Sequence, residues 1–275
     1  MRNHKIEQMA LIAMAVYDTE ENKRSWMTNH VIEHFAYGSA LTNGHRLFII
    51  DNASCIETKL RIKAFEEGQR KAGKDVTVIT NEKNIGTAEA INLAWRHRRP
   101  GEHCVKMDND VAFLRHSIAW VDQLEEAIAR DPEIGIVGLK RKDCIEHPEN
   151  PDPFYRSELY HLPHKPGERW IVAEKVHHVM GTCQMYSSAL LDKIGYLRQP
   201  RLYGFDDVLA SARSSAAGFK NVFLPHIEID HIDPGATPYQ QWKEQQARED
   251  WNEALSMRDA IMKGEHSYYY NPFEQ

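Results

Sequence analysis

The apolar positions of this chain come in blocks, and the blocks alternate in kind. Residues 9–17, MALIAMAVY, form a nearly unbroken apolar run that stops at the polar stretch Asp18–Lys23. A run without polar alternation predicts a strand covered on both faces. Across Arg24–Ala40 the residues Trp26, Val31, Ile32 and Phe35 are spaced for a helix. RLFIIDNAS, Arg46–Ser54, then repeats the first run and turns polar at Asp51. The pattern next predicts a helix over Thr58–Ala72 stopped by Gly73 and a strand over Val76–Thr80. A helix over Thr87–His97, stopped by Pro100-Gly101, and a strand over His103–Met107 closing on Asp108 follow. Ile118, Val121, Leu124 and Ile128 lie at helical spacing, ended by Asp131-Pro132 before a strand over Ile134–Leu139.

Strands alternating with helices at this pitch argue for an α/β fold with a mostly parallel sheet covered by helices on both faces. Such sheets place ligands at the carboxyl ends of their strands. Asp18, Asp51, Asn81–Gly86 and Asp108–Asp110 each follow a strand directly, so four strand ends deliver polar groups to one edge.

The second half is less regular. Cys144–Gly167 is rich in proline and charge and reads as a long loop. Val176–Ser187 reads as one strand, Ser188–Ile194 as a short helix ended by Gly195, and Asp206–Ala217 as a helix ended by Gly218. Val222–Leu224 and Ile227–Ile229 lead to His231, and Pro238 to about Lys263 is polar and helical, with Trp242 and Trp251 as its anchors. The expected division is a domain over 1–235 and a helical extension over 236–275 packed on it.

Composition narrows the class without changing this outline. The 275 residues are 42% apolar and 27% charged, which fits a globular core and excludes disorder, collagen and coiled coil. No apolar run approaches the roughly 20 residues needed to cross a bilayer, and the N-terminal apolar stretch lacks a small-residue cleavage site, so the expectation is a cytoplasmic protein without stable membrane insertion. Lys+Arg number 34 against Asp+Glu 40, and the net charge of -6 argues against a constitutive nucleic-acid or anionic-membrane coat. Cys55, Cys104, Cys144 and Cys183 form no Cys-x-x-Cys pair and are expected to be structural thiols.

Three local signals bear on chemistry. Asp108-Asn109-Asp110 ends an apolar strand, where two carboxylates one residue apart can bind a divalent cation that bridges a diphosphate. A strand-terminating turn explains the same residues. An EF-hand calcium loop does not, since Phe113 stands where that loop needs glycine. Asn84-x-Gly86, followed by Ala88, Ala90 and Asn92, opens a helix whose free amides suit phosphate, or is an ordinary helix entry. It lacks the spacing of a dinucleotide fold or a P-loop. Asp206 and Asp207 start a helix, as dipole partners or with one of them a general base, and His231 is either a satisfied buried histidine or a metal ligand.

Taken in order, IIDNAS, NEKNIGTAEAIN, KMDND and GFDDVLASAR…AAGFKNVFLPHIEIDH resemble the nucleotide-sugar-dependent glycosyltransferases of the GT-A fold, family two in particular, over about residues 9–233. The resemblance implies that Asp51 meets the nucleotide base in a pocket lined by Val16 and Tyr17. Asn84, Gly86, Asn92 and Asn109 fall in its donor site. Asp108 and Asp110 match the Asp-x-Asp motif, with Asp110 the direct ligand of manganese or magnesium and Asp108 nearer the ribose, and His231 completes the metal shell. Asp207 matches the catalytic base of inverting members, with Asp206 supporting it. The implied activity is transfer of a hexose or pentose from a nucleoside-diphosphate sugar, a UDP-sugar first, to an acceptor hydroxyl.

The Gln-x-x-Arg-Trp signature of processive polysaccharide synthases is missing, and Leu209 and Ala210 replace more polar residues after the acid pair. Two other readings compete. A haloacid-dehalogenase-like phosphotransferase would use Asp51 but needs a second Asp where Ala53 stands. A non-catalytic GT-A module binding nucleotide or glycan would lack the metal or base carboxylates, and all are present. Glycan, lipid, protein, metabolite and a modified nucleic-acid base stay open as acceptors. Cys144–Gly167, His177-His178 and Tyr268-Tyr269-Tyr270 are candidates to shape the acceptor site, with packing favoured for the tyrosines.

Overall fold

The computed structural model describes residues 9–114, 119–143, 156–235 and 238–274. The apolar runs become β1 (Leu11–Val16), β2 (Arg46–Asn52) and β4 (Cys104–Met107), each buried along almost its whole length. Between them lie α1 (Ser25–Tyr37), α2 (Ile56–Lys71), β3 (Val76–Asn81) and α3 (Thr87–Trp95). β1 pairs in parallel with β2 on one side and β4 on the other, and β2 pairs in parallel with β3. The register brings Val16 opposite Asp51 and Asn52 opposite Asn81, so the polar residues that end these strands do share one edge.

Past β4 the chain forms β5 (Val111–Phe113), α4 (Trp120–Arg130) and β6 (Ile134–Arg141), then β7 (Ser157–His161), β8 (Val172–Val176) and β9 (Cys183–Tyr186). Next come α5 (Ser188–Ile194), α6 (Asp206–Ala216), β10 (Lys220–His231) and α7 (Pro238–Met262). One ten-stranded sheet runs β3-β2-β1-β4-β9-β6-β10-β8-β7, with β5 on β10. Strands β1, β2, β3, β4, β6, β7 and β10 point one way, and β5, β8 and β9 the other. The fold is therefore α/β with a mostly parallel central sheet and helices against it. Two apolar cores, one built on Ile12, Ile49 and Leu124 and the other on Leu11, Ile91 and Leu190, cover its two faces. Alternate residues of β1 serve opposite cores, which is why that strand had to be apolar throughout.

Four expectations need correction. The single strand over Val176–Ser187 is two, the end of β8 and β9, separated by a loop over 177–182. That loop is tied down by Val179, whose amide N–H donates to Ser211 Oγ, and by Gly181, whose amide donates to Asp207. The long loop over Cys144–Gly167 contains β7, a sheet-edge strand exposed along most of its length, which therefore carries no apolar face to betray it. Residues 144–155 and Ile118 lie outside the described residues. Val222–Leu224 and Ile227–Ile229 are one strand, β10, whose pairing with β6 shifts register between Leu224 and Glu228. Pro225, lacking an N–H to donate, sits in that irregularity. Finally, Trp251 is a partial anchor of α7, 51% exposed yet with its ring edge-on to Phe205. The buried anchor is Ile261, packing with Leu209 and Ala212 of α6.

The aromatic tail packs only in part, for Tyr268 and Tyr269 are exposed. Tyr270 forms a bridge to Gly195, and the buried Arg213 guanidinium donates to the carbonyls of Ile194, Tyr196 and Tyr268. Among the described residues, no helix is long and apolar enough to cross a membrane.

Candidate active site

The polar edge opens into a cavity of about 350 Å³, within the range of small-ligand sites. Val16, Tyr17, Asn84, Asp108, Asn109, Asp110, Asp206, Asp207 and His231 all line it. The far wall comes from the start of α7, with Tyr239, Gln240, Trp242 and Lys243.

Two acid clusters face each other across this space. The first depends on β5, which pairs antiparallel with the end of β10 and sets Val111 opposite His231. Asp110 is therefore brought within 3.3 Å of His231 Nε2. Asp233 lies two residues on, and one atom each from Asp110, His231 and Asp233 falls within a 4.8 Å span. Arg24 donates to both carboxylates, at 2.5 Å to Asp110, and Lys243 Nζ lies 3.2 Å from Asp233. Burial by itself would raise the Asp110 carboxyl, but His231, Arg24 and Lys243 more than offset it and hold it well below the usual carboxylate range. Among the described residues, Asp110 Oδ1 is buried without a hydrogen-bond partner. An orphaned carboxylate oxygen beside an imidazole nitrogen and a second carboxylate is a donor set that fits manganese or magnesium. Asp108, assigned above to the same cation, instead points its Oδ1 to Lys106 at 3.1 Å.

The second cluster sits at the start of α6. Asp207 Oδ2 accepts the Gly181 N–H at 2.8 Å and lies 3.1 Å from His178 Nε2, while Oδ1 accepts the Val208 N–H. Burial would raise this carboxyl, but His178, Lys106 and the Gly181 amide outweigh it and keep it ionised well below the usual range. Asp206 is different. Its burial dominates and raises its pKa, despite Lys106 Nζ at 3.3 Å. The turn into α6 holds Phe205 at φ 62, a left-handed conformation costly for a bulky side chain and common at functional sites.

Other candidates take structural places. Asn84 lines the cavity while its Oδ1 accepts the Gly86 N–H and the Asn52 amide. Gly86, at φ 90, packs where a Cβ would lie 2.5 Å from Gln199 Nε2, so the next residue, Thr87, reaches the cavity wall. Asn109 donates to Asp18 and Thr28. Asn92 is not brought to the cavity; its amide exchanges hydrogen bonds with the backbone of Leu197, 2.9 Å each way, and fixes the segment entering the 198–205 turn. Asp51 also stands behind the wall, with Oδ1 accepting the Ser54 N–H and Oδ2 buried without a partner.

Arg24, Lys106, Asp233 and Lys243 were not assigned roles from sequence, and His178, a candidate to shape the acceptor site, stands against Asp207. Lys106 had a readable signal, a charge inside the doubly buried run Cys104–Met107 that must find acids. Asp233 lies two residues from His231, and the pair was legible only once His231 was known to end a strand.

The family model for glycosyl transferase family 2 matches residues 37–195, more than half of the chain. No curated protein matches the chain in sequence. Among solved structures, the mannosyltransferase PcManGT from Pyrobaculum calidifontis, in complex with GDP-Man and Mn2+, is similar at a TM-score of 0.63 and 16% identity, over 93% of this chain and 68% of that one. S. aureus TarS 1-349 in complex with UDP is similar at 0.59 and 14% identity, over 92% and 65%. GalNAc-T7 with UDP, GalNAc and Mn2+ is similar at 0.57 and 13% identity, over 82% of this chain but only 44% of that one. At these identities the likeness is one of fold. Together with the family match over β2 to α5, it shows that the chain belongs to glycosyl transferase family 2 and is a glycosyltransferase of the GT-A fold.

Proposed function

We propose that this enzyme is a metal-dependent, inverting glycosyltransferase that moves a sugar from a nucleoside-diphosphate donor, a UDP-sugar first, to an acceptor hydroxyl. One observation carries the reading: the cavity has an ionised, twice-held carboxylate, Asp207, on one wall and a cation-binding donor set on another. Asp110, His231 and Asp233 would hold manganese or magnesium, which supplies charge neutralisation to a departing diphosphate when bound. Asp233 takes the place first given to Asp108 in that set, and Asp108 remains on the donor side of the cavity.

Asp207 accepts the acceptor hydroxyl proton as the oxygen attacks the anomeric carbon from the face opposite the leaving diphosphate. Its ionisation is secured by His178 and Gly181, so no prior deprotonation is needed at neutral pH. Asp206, turned toward Lys106, supports it. Val16, Tyr17 and Asn84 line the donor side, and Asp51 would reach the base only if its buried Oδ2 is uncovered. The division into a catalytic 1–235 and an extension 236–275 is revised in one respect: Tyr239, Trp242 and Lys243 of the extension belong to the site. Both alternatives weaken, since Asp51 does not face the cavity and both acid clusters are intact.

The test is transfer from a panel of nucleotide sugars with and without manganese, reading the product anomer by NMR. Inversion that requires the cation and is lost in Asp207→Asn, with donor binding kept, supports the proposal. Retention at the anomeric carbon, or turnover by Asp207→Asn, sinks it.

A further inference from the structure

Lys106 occupies a position in β4 where every neighbour in the strand, Cys104, Val105 and Met107, is apolar, and it is itself 3% exposed. Its ammonium is surrounded by three oxygens, Gly181 O at 2.7 Å, Asp108 Oδ1 at 3.1 Å and Asp206 Oδ2 at 3.3 Å. The first contact is a hydrogen bond and the other two are ion pairs, so the charge is matched by two carboxylates while the side chain borders the cavity. The Gly181 peptide passes the connection on: its oxygen accepts from Lys106 and its N–H donates to Asp207 Oδ2. Nothing but hydrogen fits on the Gly181 Cα toward these groups, since a Cβ there would lie 2.7 Å from Lys106 Nζ and 3.1 Å from Asp207 Oδ2.

We infer that Lys106 is a positioning residue that fastens the Asp207 carboxylate in its reactive place, by gripping the Gly181 peptide on one side and the neighbouring Asp206 on the other. The inference rests on Asp207 being the base. Lys106 joins three elements that the chain brings from far apart, the end of β4, the 177–182 loop and the start of α6. A single buried charge satisfied by all three holds them in one register, and a misplacement of about 1 Å at a reacting group can cost on the order of a hundredfold in rate. Lys106 also contributes to keeping Asp207 ionised.

Lys106→Met keeps the length of the side chain and removes the charge. Its kcat should fall about 100-fold while KM for the nucleotide sugar and calorimetric affinity for the free nucleotide stay within threefold. The acid limb of its kcat/KM profile should move to higher pH, which a purely structural lysine would not cause. Gly181→Ala tests the same connection with the lysine retained, because the added methyl would crowd both Lys106 Nζ and Asp207 Oδ2; it should show the same split of kcat from KM. A folded Lys106→Met with kcat within threefold of the parent and an unmoved acid limb overturns the role of Lys106. If Lys106→Met does not fold, Gly181→Ala with parental kcat overturns it. Turnover by Asp207→Asn would instead remove the base assignment beneath it, so the two failures are told apart.

Discussion

The two acid clusters of the cavity are built from the same parts, a pair of carboxylates, a histidine and buried cations, yet they are finished differently. Around Asp110 and Asp233 the cations arrive on long side chains, Arg24 from the start of α1 and Lys243 from α7, and one carboxylate oxygen, Asp110 Oδ1, still has no partner among the described residues. Around Asp207 both oxygens accept N–H groups, from the backbone of Gly181 and Val208, and His178 stands against one of them. A carboxylate left incomplete can take up a metal cation; a carboxylate fully held is fixed in one place and one charge state. Acid count therefore says little about role, and the partners of each oxygen decide it.

The comparison breaks most sharply in a crossed pair of substitutions. Asp207→Asn should lower turnover by about a thousandfold, as loss of a general base does, and leave manganese affinity within twofold by calorimetry. Asp110→Asn should weaken manganese binding by about a hundredfold and leave metal-free nucleotide binding in place. Equal losses of metal affinity in both variants would erase the distinction. A smaller effect is expected at His178. His178→Ala removes one holder of Asp207, so kcat should fall about tenfold and the acid limb of kcat/KM should rise toward the ordinary carboxylate range, near 4.

The same reasoning has a stability side. Asp207 has a lowered pKa in the folded chain, so its contribution is complete above about pH 4, the unfolded value, and is lost as pH falls through the folded one. Thermal midpoints measured from pH 6 downward should drop less steeply for Asp207→Asn than for the parent. The smallest change is expected for Lys243→Met. Arg24 still holds Asp233, so manganese should bind only about two- to threefold tighter as one competing cation is removed. Weaker binding would mean that Lys243 assists the cation rather than competing with it.

How far the sequence disclosed this arrangement follows from burial. In the first half, β1, β2 and β4 are covered on both faces, so their apolar runs are long and unmistakable, and the polar residues after them stand out. In the second half the sheet narrows to an exposed edge at β7, and one strand, β10, is interrupted by Pro225, so periodicity fades or divides. The site follows the same rule. Asp108, Asp110 and His231 were legible because they follow apolar strands, and Asp206 and Asp207 because they open a helix. Arg24 and Lys243 look like any other surface charges in the sequence, and only the fold shows them buried between acids. Asn92 misled for the opposite reason: a polar residue inside a helix near the donor side proved to be a structural clasp on Leu197.

The placement of Tyr239, Trp242 and Lys243 on the last helix has a consequence for how the enzyme comes into being. As the nascent chain leaves the ribosome, every described strand and both acid clusters precede α7, so the clusters are made before the part of the cavity wall that α7 supplies. A release at Gly235, by a premature stop codon or a late frameshift, would yield a chain carrying Asp110, Asp207, His231 and Asp233 but open to water on the side that Tyr239 and Trp242 should close. Order of synthesis thus leaves that side of the cavity without its wall until α7 docks.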